Sequence, residues 1–141
     1  WKECSMRSGL GHIQFNVKAD NIAWYKGLFE TLGWSEIWYG EGEGYGAAGS
    51  NGESFWFIAG GNGAVNDYDG PGVNHVAVAV ENQADVDAAG AYLTGIDTEL
   101  LFETPRHRPD FSQSESDTYY QIMFETPDRF LLEVVYTGPK A

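Results

Sequence analysis

The 141 residues, 43% apolar and 15% aromatic, suffice for one well-packed domain and are too few for two ordinary ones. Twenty-one acidic against eight basic residues give a formal charge of −13, which argues against DNA, RNA or an anionic membrane as partner and leaves small neutral or cationic molecules and metal ions. The single cysteine, Cys4 in a ragged N-terminus, permits no internal disulfide; no apolar run approaches the ~18 residues of a membrane span and no signal-peptide core is present, so a cytoplasmic protein is expected.

In chain order, Gly11 to Val17 alternates as a strand, and Ala19-Asp20-Asn21 offers a helix start. Ile22, Tyr25, Leu28, Phe29 and Leu32 then recur at three- and four-residue steps, which predicts a helix over 22–32 that Gly33 stops. Trp34 to Tyr39, Tyr45 to Ala48 and Ser54 to Ala59 read as three strands. Residues 60–72 are rich in Gly, Asn, Asp and Pro and read as a linker between modules at about 9–59 and 73–137 of a single domain. The order then repeats. Val73 to Val80 is a strand, Gln83 to Leu93 a helix, Glu99 to Glu103 a strand, and after a polar loop Tyr119 to Glu125 and Phe130 to Tyr136 form two strands joined by Thr126-Pro127-Asp128-Arg129.

Within this repeat, His12 and His75 sit at matching places, 63 positions apart, in Gly-His-Ile-Gln-Phe-Asn-Val and Asn-His-Val-Ala-Val-Ala-Val. Alternation puts His12 with Gln14 and Asn16 on one face, and Ile13, Phe15 and Val17 on the face that must pack on the helix. His75 aligns with the small Ala77 and Ala79, so both histidines face a polar or roomy side. Glu133 lies in the apolar run Phe130 to Tyr136, where an unpaired carboxylate is expensive. Its neighbours on both faces are apolar, so alternation leaves its direction open. Two strand histidines and a strand glutamate point to a metal site, against the plainer reading of satisfied core or surface side chains.

Here the chain resembles the vicinal oxygen chelate superfamily, the glyoxalase, bleomycin-resistance and extradiol dioxygenase group, over roughly Leu10 to Tyr136. The resemblance rests on Gly11 to Val17, on Trp24-Tyr25-Lys26-Gly27-Leu28-Phe29-Glu30-Thr31-Leu32-Gly33-Trp34, on Asn74 to Val78, and on Tyr119-Tyr120 with Thr126 to Glu133 as a closing hairpin. Arg129 stands where the family usually has Gly. The implied fold is α+β: two βαβββ modules whose mixed sheets curl around a metal-binding cavity, usually in a homodimer, with the His12 and His75/Glu133 halves drawn from one chain or from two.

By the same resemblance His12, His75 and Glu133 are ligands of a divalent metal, Fe, Mn, Zn or Ni. Trp56 falls nearest the fourth ligand position of glyoxalase I enzymes, and indole cannot ligate a metal, so a three-ligand His₂/carboxylate site with open positions is implied. Such a metal polarises or chelates substrate oxygens, which implies a lyase, thiol transferase or dioxygenase. Gln14, Trp56 and Arg106 are the candidate substrate-binding residues, and His107, Tyr119 and Tyr120 the candidate catalytic acids or bases. Arg106-His107-Arg108 interrupts an acidic chain and reads equally as an anion-drawing cluster or a solvated loop tip. Fosfomycin modification is disfavoured, because a small phosphonate wants more Lys and Arg than these. Two other readings stand beside the enzyme: a metal-free protein that sequesters a cationic drug in an acidic, aromatic cleft, as bleomycin-resistance proteins do, and a scaffold that has lost its site.

Overall fold

The structure, a computed structural model, describes residues 5–141, so the expectation for Cys4 lies outside the described residues. The chain divides into two units, Trp1–Asn62 and Gly63–Ala141.

The first unit runs β1 (His12–Val17), α1 (Ile22–Thr31), β2 (Ser35–Gly40), β3 (Gly44–Ala48) and β4 (Ser54–Ala59). Its sheet has the order β1-β4-β3-β2, with β1 parallel to β4 and the other pairs antiparallel. The helix stripe read from the sequence is the buried one: Ile22, Tyr25, Leu28 and Phe29 are shut from solvent. They meet the apolar face of the sheet, where Tyr25 stacks on Phe57 at 4.3 Å between ring centroids and Phe15 stacks on Phe57 at 4.9 Å. Each such side chain contributes about 1.5–3 kcal/mol by leaving water. Gly33, at φ 82°, ends the helix as expected.

The second unit repeats the plan with β5 (Val76–Ala79), α2 (Gln83–Gly95), β6 (Arg106–His107), β7 (Asp117–Glu125) and β8 (Leu131–Pro139). Its sheet order is β5-β8-β7-β6, again with the first strand parallel to the last. Val86, Ala89, Gly90 and Leu93 of α2 are buried, and a Cβ on Gly90 would touch Leu100 and Ile122. The architecture is α+β, two βαβββ modules, in agreement with the sequence. No described helix is long and apolar enough to cross a membrane.

Three segments differ from the sequence reading. The strand expected over Val73–Val80 begins only at Val76, because the Asn74 amide donates to the Tyr68 carbonyl at 2.9 Å and holds 74–75 outside the ladder. The strand expected over Glu99–Glu103 is reduced to one bridge, Leu100 to Phe124. Phe102 and Glu103 lie at φ 57° and 60°, left-handed backbone that cannot extend a strand, so pairing resumes at Arg106–His107. At the closing turn Arg129 occupies φ 61°, a conformation that favours Gly. Its N–H donates to the Thr126 carbonyl, its own carbonyl accepts from Asn66, and its guanidinium pairs with Glu125 at 2.9 Å.

Candidate functional site

The β7–β8 ladder decides the direction of Glu133. Leu132 and Val134 pair with Val76 and Val78 of β5 and with Phe124 and Ile122 of β7 on the side covered by α2. Glu133 therefore points to the opposite side, directly across from Ala77 and Met123, with Tyr119, Gln121 and Val135 nearby on the same face.

Although only 2% exposed, this carboxylate is well held. Its Oε2 accepts from the Tyr119 hydroxyl at 2.7 Å and from the Gln121 amide at 2.5 Å. Burial, then the bond to Glu133, push the Tyr119 phenol up to about 12, so it remains a proton-bearing donor, while Arg108 nearby acts in the opposite sense. The second oxygen, Oε1, lies 3.3 Å from Nε2 of His75.

The tautomer of His75 follows from its neighbours. Asn74 Nδ2 is committed to the Tyr68 carbonyl, which turns Oδ1 toward His75 Nδ1 at 2.7 Å. An amide oxygen only accepts, so Nδ1 carries a proton, and Nε2 faces Oε1 either as the lone pair of a neutral imidazole or as the second N–H of an imidazolium. Either a proton on Nε2 or a cation shared by the two atoms satisfies this 3.3 Å approach. The spacing also suits a shared ion: two donors about 2.1 Å from one metal, at roughly 90–110° to each other, stand about 3.0–3.4 Å apart. A hydrogen bond from the far imidazole nitrogen to an amide oxygen is the usual support for a metal-ligating histidine. His75 and Glu133 thus fit a divalent ion as two of its ligands. Among the described residues no three His, Cys, Asp or Glu side chains gather into a complete set.

The remaining expected residues are distributed as follows. His12 is exposed at the start of β1, in register with Ser54 and on the side away from α1. Gln14 shares that side and donates to Asn16 at 3.1 Å. Trp56 pairs with Gln14 and Gly46, and its indole N–H is satisfied by the Ser54 hydroxyl at 3.0 Å. Its ring covers Gly46, where a Cβ would overlap Cε3, and the Trp38 ring edge and Ile58 close over Gly44. Arg106 shares the Glu133 face through its pairing with Gln121, yet it is tied to Glu103 at 3.4 Å.

Two of the candidate catalytic residues point elsewhere. His107 pairs with Tyr120 in the ladder, so alternation turns both toward the α2 side. There His107 Nδ1 contacts the Thr118 hydroxyl at 2.5 Å, and the Tyr120 hydroxyl donates to Asp87 of α2 at 2.6 Å. Only Tyr119 of that trio meets Glu133. Conversely Asn74 and Gln121 belong to the cluster and were not singled out in the sequence. Their signals were available: an amide directly before the histidine, and a polar residue two positions after Tyr119 in an otherwise apolar strand.

No family model matches the chain and no curated protein matches it. Solved structures do match. A putative glyoxalase from Bacillus halodurans superposes with a TM-score of 0.71 at 20% identity, over 90% of this chain and 94% of that one. A glyoxalase/bleomycin resistance protein from Albidiferax ferrireducens gives 0.67 at 16% identity, over 90% and 97%. The Listeria monocytogenes fosfomycin resistance protein FosX, in a mutant form complexed with Mn(II) and 1S,2S-dihydroxypropylphosphonic acid, gives 0.64 at 18% identity, over 94% and 95%. These identities speak for architecture, and with the two βαβββ modules they establish that the chain has the glyoxalase/bleomycin resistance/dioxygenase fold, the fold of the vicinal oxygen chelate superfamily.

Proposed function

We propose that the protein is a metal-dependent enzyme acting on a small molecule, with His75 and Glu133 as ligands of a divalent cation. The observation that carries this reading is the approach of His75 Nε2 to Glu133 Oε1 at 3.3 Å, with the other imidazole nitrogen committed to Asn74. The Mn(II) in the FosX relative supports a divalent ion in this fold. When bound, the ion supplies a Lewis acid that polarises or chelates adjacent substrate oxygens.

The chain's own residues supply the rest. Tyr119 and Gln121 hold the carboxylate in one orientation by donating to Oε2, and Asn74 holds the imidazole tautomer. Ala77 and Ala79, small side chains on the same face of β5, leave room beside the ligands. Tyr119, a neutral phenol at ordinary pH, is the proton donor placed at the site, whereas His107 and Tyr120 take no part. His12 is proposed as a further ligand, and Gln14 and Trp56 as substrate contacts.

The test is metal content and thermal stability of protein stripped with chelator and reloaded separately with Mn, Fe, Zn and Ni. A saturable rise in Tm that is lost in His75→Asn supports the reading. A proton on Nε2 would satisfy the same pair, and then no metal raises Tm. Loss of part of the rise in His12→Ala identifies His12 as a ligand; an unchanged rise removes it.

A second reading, metal-free capture of a cationic drug, is favoured by one feature of the first unit. The Trp38 indole, 41% exposed, lies on bare backbone at Gly44 with the Glu43 carboxylate close by over Gly40. Calorimetry with a cationic glycopeptide in chelator decides it: no heat removes this reading.

A further inference from the structure

The loop ahead of β7 brings a cation to the Glu133 face. The Arg108 N–H donates to the Tyr119 carbonyl at 2.7 Å, one step beyond the His107–Tyr120 pair, so the β6–β7 register extends through Arg108 and sets it on the side of Tyr119. Its guanidinium carbon lies 5.6 Å from the centroid of the Phe111 ring, and that ring meets Tyr119 edge-on at 5.3 Å. Arg108, Phe111, Tyr119 and Glu133 therefore form one continuous line of contacts within the second unit.

Arg108 is half-buried and takes part in no ion pair among the described residues, in a chain with 21 acidic side chains. Its neighbour Arg106, two positions back on the same face, is neutralised by Glu103, and Lys26 and Arg129 likewise hold carboxylates. An arginine held over an aromatic ring is pre-oriented, and its planar fork matches a carboxylate. Phe111, 56% exposed, extends an apolar surface beside it.

We propose that Arg108 and Phe111 form a carboxylate-binding subsite, which selects organic acids whose apolar or aromatic body lies against Phe111. Arg108, not Arg106, is the residue that holds the anion. That the remaining oxygens of such an acid meet His75 and Glu133 rests on the proposed function above; the subsite itself does not.

The experiment therefore omits metal. Benzoate and the isosteric neutral benzamide are titrated into chelator-treated protein while the Arg108 side-chain Nε–H resonance, assigned by its loss in Arg108→Gln, is followed by NMR. Expected are a saturable shift with benzoate, none with benzamide, and benzoate affinity at least tenfold weaker in Arg108→Gln, measured there on the Phe111 ring resonances. Arg108→Lys restores only part of it, for want of the bidentate fork. No saturable shift, an equal response to benzamide, or a loss under threefold in Arg108→Gln overturns the proposal. Because metal affinity is read separately from Tm, failure of the subsite and failure of the metal reading are distinguishable.

Discussion

Replacing Glu133 by Gln separates the role of the carboxylate as a ligand from its role in the fold. The carboxamide has the same shape. Its oxygen, placed at Oε2, still accepts from Tyr119 and Gln121, and its NH₂, placed at Oε1, donates to the His75 Nε2 lone pair 3.3 Å away. Two hydrogen bonds to a charged acceptor become bonds to a neutral one, a loss of about 1 kcal/mol each. Against this, a neutral carboxamide at a site 2% exposed is cheaper to bury than a carboxylate by several kcal/mol, and with His75 neutral its N–H gains a hydrogen bond to Nε2. Without metal the variant is therefore at least as stable as the parent, with Tm higher by about 2–4 °C per kcal/mol gained. With metal the order reverses. At 100 times Kd the parent gains about 2.7 kcal/mol, roughly 6–10 °C, and the variant gains none. Differential scanning calorimetry with and without Mn(II) reads both terms. A variant that melts far below the parent in chelator, or that retains the metal-dependent rise, refutes the reasoning.

Three other substitutions probe the surrounding contacts. Asn74→Ala frees the His75 tautomer and lowers metal affinity by about 10–100-fold with little change in metal-free stability, measured by competition with a chromophoric chelator. Tyr119→Phe removes a bond to a buried carboxylate and costs about 1–2 kcal/mol at neutral pH, after allowance for partial exposure. The Tyr119 phenol is raised in the folded state to about 12, so its contribution is complete below pH 10 and is lost as pH rises from 10 towards 12; the variant's denaturation midpoint falls less steeply over that window. Gly46→Ala drives a methyl into the Trp56 ring, displaces the indole, costs about 1–3 kcal/mol in urea denaturation and shifts tryptophan emission.

Both helices and most strands were legible because each element buries one face, and burial writes a period into the sequence. Where both faces of a strand are apolar the period disappears. That happened at Glu133, whose direction was fixed by which neighbours α2 covers, a fact of pairing with Val76, Val78, Ile122 and Phe124 that no local pattern contains. The strand over Glu99–Glu103 was misread for the opposite reason: its composition suits a strand, and the left-handed backbone at Phe102 and Glu103 overrides it. At Arg106-His107-Arg108 the sequence offers one basic cluster. Two residues of strand pairing divide it, sending His107 to Thr118 beneath the sheet and leaving Arg106 and Arg108 above it. A salt bridge then divides the arginines, since Glu103 claims the first and no described carboxylate claims the second. Asn74 and Gln121 escaped notice because they act through the angle of a single hydrogen bond and have no periodic signature. Chemistry at this site thus depends on which side of a two-residue strand each group falls, and moving β6 by one residue against β7 would exchange His107 for the arginines beside Glu133.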